Sequence, residues 1–130
     1  MELVYKFLKK CGTYFLATVD NGKARVRPFG TIDMFDGGLY IQTGKKKDVA
    51  KQMMENPKIE ICAFDGKAWI RLSAKAVLDE RVEAKKHMLD AYPNLRNNYD
   101  ENDDNTAVFR LTEATAVISA FGQPAVTINF

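Results

Sequence analysis

The spacing of hydrophobic and polar positions predicts a protein built mainly from β-strands. Residues 58–64 alternate strictly, with Ile59, Ile61 and Ala63 on one side of the strand and Glu60 on the other. Similar alternation, or aromatic and β-branched composition, predicts further strands at residues 13–19, 24–34, 39–42, 68–78, 107–111, 114–119 and 125–130. Helical spacing of apolar residues is confined to residues 3–11, 47–56 and 82–92.

The predicted strands are joined by short turns, which are Asp20-Asn21-Gly22, Asp36-Gly37-Gly38, Asp65-Gly66-Lys67 and Gly122-Gln123-Pro124. Hairpins with such turns favour an antiparallel barrel over a doubly wound sheet. We therefore expect a mainly β fold, with a six- to seven-stranded antiparallel barrel and two or three flanking helices. The polar, acidic stretch at residues 97–105 is predicted to be a solvated loop.

Composition and charge restrict the class of protein. A chain of 130 residues, 46% hydrophobic and 28% charged, is expected to form one globular domain with an ordinary core. The formal net charge of +2 gives little support for nucleic-acid binding. No apolar run approaches the roughly 20 residues of a membrane span, and no signal-peptide pattern is present, so we expect a cytoplasmic location. Cys11 and Cys62 lie in apolar contexts and are predicted to be buried free thiols.

The most informative stretch is residues 25–47, in which basic side chains occupy both ends of a predicted hairpin. Arg25 and Arg27 point to one face of their strand because they are two positions apart. The hairpin brings them near Thr43 and near the lysines that open the next helix, Lys45, Lys46 and Lys47. Lysines at a helix N-terminus oppose the macrodipole, which suggests that an anion belongs there. Together with free backbone amides and the close approach that Gly44 permits, these groups predict a phosphate site.

The same charges have a simpler interpretation, in which the arginines face acidic side chains and the lysines are solvated at the surface. The stretch is not a P-loop, because Leu39 stands at the position of the upstream glycine and Lys46 replaces the required serine or threonine.

Aromatic residues near this stretch could supply an apolar wall for a flat ring such as that of FMN. The candidates are Phe29, Phe35, Tyr40 and Trp69, although aromatic residues in strands usually belong to the core. Trp69 and Arg71 share a strand face and could flank a heterocycle.

Catalytic side chains are scarce. His87 is the only histidine and is predicted to lie at the surface, which excludes a multi-histidine metal site and gives a Ser-His-Asp triad little support. Asp33 and Asp36 flank a turn and are expected to serve its geometry. A cofactor cradle without acid–base residues fits a protein whose cofactor carries the chemistry.

Several motifs in a fixed order resemble those of the FMN-binding split β-barrel family related to pyridoxamine phosphate oxidase, particularly its nitroimidazole-resistance and general-stress-protein branches. They are Ala17-Thr18-Val19, Arg27-Pro28-Phe29-Gly30, Tyr40-Ile41-Gln42-Thr43, Lys45-Lys46-Lys47-Asp48-Val49 and Glu55-Asn56-Pro57. The resemblance implies a homodimer with FMN at the subunit interface.

By position, the resemblance also implies which residues contact the cofactor. Arg27, Pro28, Phe29 and Gly30 would run along the flavin, and Gln42 and Thr43 would meet its ring or ribityl chain. Lys46 and Lys47, with Arg25, would hold the phosphate. Trp69 and Arg71 would reach the site from the partner chain.

One departure bears on the substrate. The true oxidases carry a lysine where this chain has Ile32, so pyridoxamine phosphate is not the expected substrate. We expect instead an FMN-dependent oxidoreductase that uses a nicotinamide donor, NAD(P)H, to reduce small nitroaromatic- or quinone-like molecules. Two alternatives stay open, namely a non-catalytic flavin- or haem-binding sensor or storage module, and a nucleic-acid-binding barrel that uses the lysine cluster. The acidic segment at residues 100–104 and the weak net charge oppose the second alternative.

Overall fold

The computed structural model describes all residues from Met1 to Phe130. Its helices are α1 (Glu2–Cys11), α2 (Asp48–Glu55) and α3 (Val82–Ala91), and a 3₁₀ turn at Pro93–Asn97 follows α3. The strands are β1 (Tyr14–Asp20), β2 (Lys23–Phe29), β3 (Asp33–Phe35), β4 (Gly38–Gly44), β5 (Lys58–Phe64), β6 (Ala68–Leu78), β7 (Thr106–Ala120) and β8 (Val126–Asn129). None of the helices has the length and apolar composition that crossing a lipid bilayer requires.

All eight strands belong to one antiparallel sheet. The order across it is β2, β1, β5, β6, β7, β4, β3, and β8 pairs with the second half of β7. The sheet encloses the core and stays open between its edge strands β2 and β3. The prediction of a split β-barrel with flanking helices is confirmed, with eight strands in place of six or seven.

Two hairpin turns fix the register of the strands that carry the site. Asn21 and Gly22 have φ angles of 49° and 82°, and Asp36 and Gly37 have 50° and 72°. Positive φ at both central residues is the geometry of a type I′ turn, which asparagine, aspartate and glycine tolerate best. The strands of each hairpin consequently pair without a bulge.

Inward-facing side chains of the strands form the main core, together with apolar faces of α1 and α2. The largest of these side chains are Tyr14, Leu16, Ile41, Ile61, Leu72 and Phe109. A smaller cluster of Tyr40, Ala84, Met88 and Val108 packs α3 against β4 and β7. This second cluster matters for the site, because it fixes the segment that continues from α3 into the 3₁₀ turn.

The strand predicted at residues 24–34 is interrupted, which corrects that prediction. The chain leaves the β2 ladder after Phe29 and begins β3 at Asp33. Side chains bind the intervening backbone, since the Tyr14 hydroxyl bonds the C=O of Thr31 and the Tyr92 hydroxyl bonds the N–H and C=O of Ile32. The Thr31 hydroxyl in turn bonds the backbone N–H and C=O of Gln42 on β4.

The strands predicted at residues 107–111 and 114–119 are one strand, β7. Glu113, with a φ of 47°, and a register shift opposite Ser73 and Lys75 form a bulge that bends the strand without ending it.

The prediction that both thiols are buried is wrong. Cys62 is exposed and Cys11 is half-buried. Along β5, Ile59, Ile61 and Ala63 face the core, so period-two alternation turns Cys62 outward with Glu60.

Candidate functional site

A cavity of about 210 Å³ lies where the break after β2 meets β4 and the segment that follows α3. Its lining collects most of the cofactor-binding residues predicted from the sequence, namely Pro28, Phe29, Gly30, Gln42, Thr43 and Lys47. Thr31, Leu95 and Tyr99 complete the wall. Pro28, Phe29 and Gly30 therefore meet Gln42, Thr43 and Lys47. The predicted hairpin is not the cause, because β2 pairs with β1 and only the short strand β3 pairs with β4.

Gln42 is the most unusual group in the cavity wall. Its side chain is 4% exposed, and neither its carboxamide nitrogen nor its oxygen has a hydrogen-bond partner. Its backbone is fully engaged, because the Thr31 hydroxyl donates to its C=O at 3.1 Å and accepts from its N–H at 2.9 Å. A buried polar group without a partner costs about 1–3 kcal/mol, so this carboxamide is available to a ligand that supplies both an acceptor and a donor.

Tyrosine side chains hold the opposite wall in place. The Tyr14 hydroxyl donates to the C=O of Thr31 at 2.5 Å, and burial raises the pKa of Tyr14 well above its ordinary value. The Tyr92 hydroxyl donates to the C=O of Ile32 at 2.8 Å and accepts from Lys9 Nζ at 2.9 Å. Hydrogen bonds from these two tyrosines thus hold the backbone of Thr31 and Ile32.

The predicted lysine cluster divides into paired and unpaired members. Lys45 forms an ion pair with Glu80, whereas neither Lys46 nor Lys47 forms one. Lys47 lines the cavity, whereas Lys46, the preceding residue, is exposed and is not part of the lining. The cluster therefore keeps positive charge at the cavity edge.

The expectation of free backbone amides in this cluster is wrong for the three lysines. The N–H of Lys45 bonds the C=O of Asn105, the N–H of Lys46 bonds Asn105 Oδ1, and the N–H of Lys47 bonds the C=O of Gly44. These backbone amides are therefore not available to an anion, and only the lysine side chains are.

The two arginines of β2 also differ. Arg25 forms an ion pair with Asp20 at 3.2 Å, which agrees with the simpler interpretation of a solvated strand face. The Arg27 guanidinium donates at 2.7 Å to Thr18 Oγ1 and at 2.7 Å to Gln52 Oε1, which are neutral groups. Burial, followed by the nearby charge of Arg25, lowers the pKa of Arg27. Arg27 therefore carries a charge that no carboxylate neutralises, although it does not line the cavity.

Trp69 lies outside the cavity. It stands opposite Phe64 and Ser119 in the sheet, and its ring is 5.2 Å from that of Phe121. It belongs to an outward surface that we call the outer apolar face, formed by Phe15, Phe64, Trp69 and Phe121. The exposed side chains of Cys62 and Arg71 lie on the same face, between Phe15 and the other aromatic residues. Within one chain, Trp69 does not contact the other predicted cofactor residues.

The remaining candidate side chains have structural partners. Tyr40 is fully buried and donates to Asp79 at 2.8 Å, and Phe35 packs against the His87 ring at 4.7 Å. His87 is half-buried and bonds Asp33 at 3.0 Å, so the predictions of a surface histidine and of a purely turn-forming Asp33 are both corrected.

Sequence reasoning missed Leu95 and Tyr99, because it treated much of their segment as a solvated loop. The segment instead forms the outer wall of the cavity. Gly44 was the one sequence feature that could have indicated this contact. A Cβ at that position would lie 2.9 Å from the Tyr99 hydroxyl oxygen, so the close approach of the ring requires glycine.

The comparisons with known proteins agree with this fold. The sequence model described as Pyridoxamine 5′-phosphate oxidase matches residues 2–117. The chain therefore belongs to the pyridoxamine 5′-phosphate oxidase family, as the motifs indicated. No curated protein matches the sequence.

Among solved structures, a NimC/NimA family protein from Clostridium acetobutylicum is 38% identical, with a TM-score of 0.96 over 100% of this chain and 92% of that one. General Stress Protein 26 from Bacillus anthracis is 16% identical, with a TM-score of 0.72 over 98% and 100% of the two chains. HutZ, the haem storage protein from Vibrio cholerae, is 16% identical, with a TM-score of 0.66 over 96% and 92%. The last two likenesses concern the fold alone.

Proposed function

We propose that the chain binds FMN in this cavity as a homodimer. We further propose that it is an FMN-dependent oxidoreductase that reduces small nitroaromatic- or quinone-like molecules with a nicotinamide donor. The observation that carries the proposal is the buried, unpartnered carboxamide of Gln42 in the same cavity lining as the unpaired Lys47. The similarity to a NimC/NimA family protein supports the choice of acceptor.

The chemistry of Gln42 favours a flavin over haem. The pyrimidine edge of a flavin presents an N–H between two carbonyl oxygens, and a carboxamide can accept from the first and donate to one of the others. Haem has no such edge and requires an axial ligand. The only histidine is bonded to Asp33 outside the cavity, which leaves Tyr99 as the one conventional axial ligand in the lining.

The charged side chains fit a phosphate ester. Lys47, with Lys46 beside it, would hold the phosphate, and Arg27 would add to the positive potential from the neighbouring strand. Thr43 supplies a hydroxyl to the same cavity. The residues present therefore fit a nucleotide with one flat ring and one terminal phosphate.

FMN would supply the redox chemistry that these side chains lack, passing reducing equivalents from the nicotinamide donor to the acceptor. The cavity lining contains no carboxylate, histidine or thiol, so this chain's part is to bind, to orient and to exclude water. The overall reaction balances with a hydride from the donor and a proton from solvent.

The size of the cavity supports the homodimer. At about 210 Å³ it is smaller than the roughly 300–1,000 Å³ of typical ligand pockets, so part of an FMN molecule would extend beyond it. Phe15, on the outer apolar face, is in register with Pro28, which lines the cavity. A second copy seated on this face would complete the site and bring Trp69 to the cofactor of the other protomer.

The test begins with the visible spectrum and melting temperature of the purified protein, alone and with FMN or haem. We expect a flavin spectrum and, at FMN concentrations 100-fold above Kd, about 2.7 kcal/mol of added stability. Haem binding without FMN binding would reject the proposed cofactor. Sustained NAD(P)H oxidation with nitroaromatic or quinone acceptors separates an oxidoreductase from a passive flavin carrier.

A further inference from the structure

Tyr99 presents a hydroxyl to the cavity that the fold does not use. The hydroxyls of Tyr14, Tyr40 and Tyr92 bond Thr31, Asp79 and Ile32 within the chain, whereas the Tyr99 hydroxyl forms no such bond. Tyr99 is half-buried and lines the cavity together with Lys47. A phenol in this position is a donor without an acceptor.

A glycine on β4 makes room for this phenol. A Cβ added to Gly44 would lie 2.9 Å from the Tyr99 hydroxyl oxygen and 3.1 Å from its ring carbon Cε1. Glycine therefore allows the ring to rest directly on the strand backbone. Along the chain, this contact falls between Gln42 and Thr43 on one side and Lys47 on the other.

The loop that carries Tyr99 is fixed at both ends. The N–H of Tyr99 bonds the C=O of Leu95 at 2.9 Å, and the Thr106 hydroxyl bonds the C=O of Asp100 at 3.0 Å. Asn105 accepts the N–H groups of Lys45 at 2.6 Å and Lys46 at 3.1 Å. The loop is thus attached to the lysine cluster itself.

The acidic residues of this loop do not face the cavity. Glu101 pairs with Arg96 at 2.7 Å, and Asp103 accepts backbone N–H groups of its own loop, including that of Thr106 at 2.7 Å. No carboxylate lines the cavity, so the loop offers it a neutral hydroxyl donor.

We propose that the Tyr99 hydroxyl donates a hydrogen bond to the terminal phosphate of the cofactor and, with Lys47, selects a phosphate ester over the neutral riboflavin. This inference rests on the proposed function. If Gln42 takes the ring edge and Lys47 the phosphate, Tyr99 stands on the phosphate side. A hydroxyl that donates to an ionised phosphate forms a charge-assisted hydrogen bond, which is roughly twice as strong as a neutral one.

The test compares FMN with riboflavin, which differ only in the phosphate. Each is titrated into the wild-type protein, Tyr99→Phe and Tyr5→Phe, with quenching of flavin fluorescence as the readout and no turnover required. We expect Tyr99→Phe to weaken FMN binding about 10- to 100-fold, the range for a lost bond to a charged group, and to leave riboflavin affinity unchanged. Tyr5→Phe, a half-buried tyrosine on α1, should change neither affinity.

Gly44→Ala provides an independent variant, because it displaces the phenol without removing it. It should show the same loss for FMN alone. Equal losses for FMN and riboflavin, or unchanged FMN affinity in Tyr99→Phe, would overturn the inference. Wild-type protein that binds neither flavin would overturn the proposed function and this inference together, a result distinct from an FMN-binding protein that is indifferent to Tyr99.

Discussion

At the scale of single residues, the cavity stands apart because some of its polar groups have no partner within the chain. Fully buried polar side-chain atoms elsewhere in the interior have partners, as Thr18 has in Gln52 and Tyr14 has in the C=O of Thr31. The carboxamide of Gln42, a residue that is 4% exposed, has none. Natural proteins retain such groups mainly where function offsets the cost, so Gln42 should stabilise a complex at the expense of the free protein.

This contrast predicts opposite effects for one substitution. Gln42→Leu should weaken FMN binding about 10-fold or more through the lost ring contacts and leave the free protein equally stable, or up to about 2 kcal/mol more stable. Melting temperatures without ligand and FMN titrations measure the two effects. Gln52→Leu is the matched control, because Gln52 accepts from Arg27 and its loss should destabilise the free protein. A Gln42→Leu protein that binds FMN normally would contradict the assignment.

Lys45 and Lys47 differ in ion pairing, which gives a second prediction. Lys47→Ala should weaken FMN binding by about 1–3 kcal/mol, with a smaller loss at high salt, because its charge is unpaired at the cavity. Lys45→Ala should have little effect, because Lys45 is neutralised by Glu80. FMN titrations of both variants at two ionic strengths measure these effects. Equal effects of the two substitutions would mean that the cavity is not the phosphate site.

At the scale of elements, local signals predicted most of the fold. Asn21-Gly22 and Asp36-Gly37 need only their own backbone preferences to form turns, and the alternation in β5 needs only its neighbours in sequence. The same alternation also predicts that Cys62 is exposed, although the apolar residues around it suggested that it was buried. The split barrel followed from these short-range patterns together with the family motifs.

The elements that sequence reasoning missed depend on contacts between distant residues. After β2 ends, the Thr31 hydroxyl bonds the backbone of Gln42 on β4, and the Tyr92 hydroxyl beyond α3 bonds the backbone of Ile32. Likewise, Tyr99 lines the cavity because its ring rests against Gly44, which is distant in sequence and lies on β4. Periodicity within a segment cannot show such contacts, so the candidate site was predicted on its hairpin side and missed on its outer side.

The junction between β6 and α3 predicts a pH dependence of stability. The hydrogen bond from Arg81, with that from Tyr40, lowers the pKa of Asp79 to about 2 from 3.8. A lowered folded-state pKa adds stability above pH 3.8, which is lost as the pH falls toward about 2 because the unfolded chain takes up the proton first.

Asp79→Asn should therefore destabilise the protein by about 2 kcal/mol at pH 7 and by much less near pH 2. Urea unfolding at both pH values measures the difference, and Asp104→Asn, in an exposed loop position, serves as the control. A loss of stability that is the same at both pH values would show that Asp79 acts through packing alone.

At the scale of the whole molecule, two features of the surface support the proposed homodimer. The cavity of about 210 Å³ is smaller than a typical ligand pocket, and the outer apolar face reaches its edge through the pairing of Phe15 with Pro28. Phe64 is 63% exposed and Phe121 is 89% exposed, which is unusual for large aromatic side chains on one surface. A homodimer through this face would cover both side chains and enlarge the site in one step.

Phe64→Glu should therefore break the dimer without disturbing the fold of a protomer. The side chain is mostly exposed in one chain, so a charge there costs little, whereas a dimer would bury two unpaired carboxylates. Sedimentation velocity should show a dimer for the wild-type protein and a monomer for the variant, with FMN affinity reduced in parallel. Leu3→Glu, a similarly exposed position on α1, should remain dimeric and bind FMN. If Phe64→Glu stays dimeric with full FMN affinity, the outer apolar face is not the interface, and it does not complete the cavity.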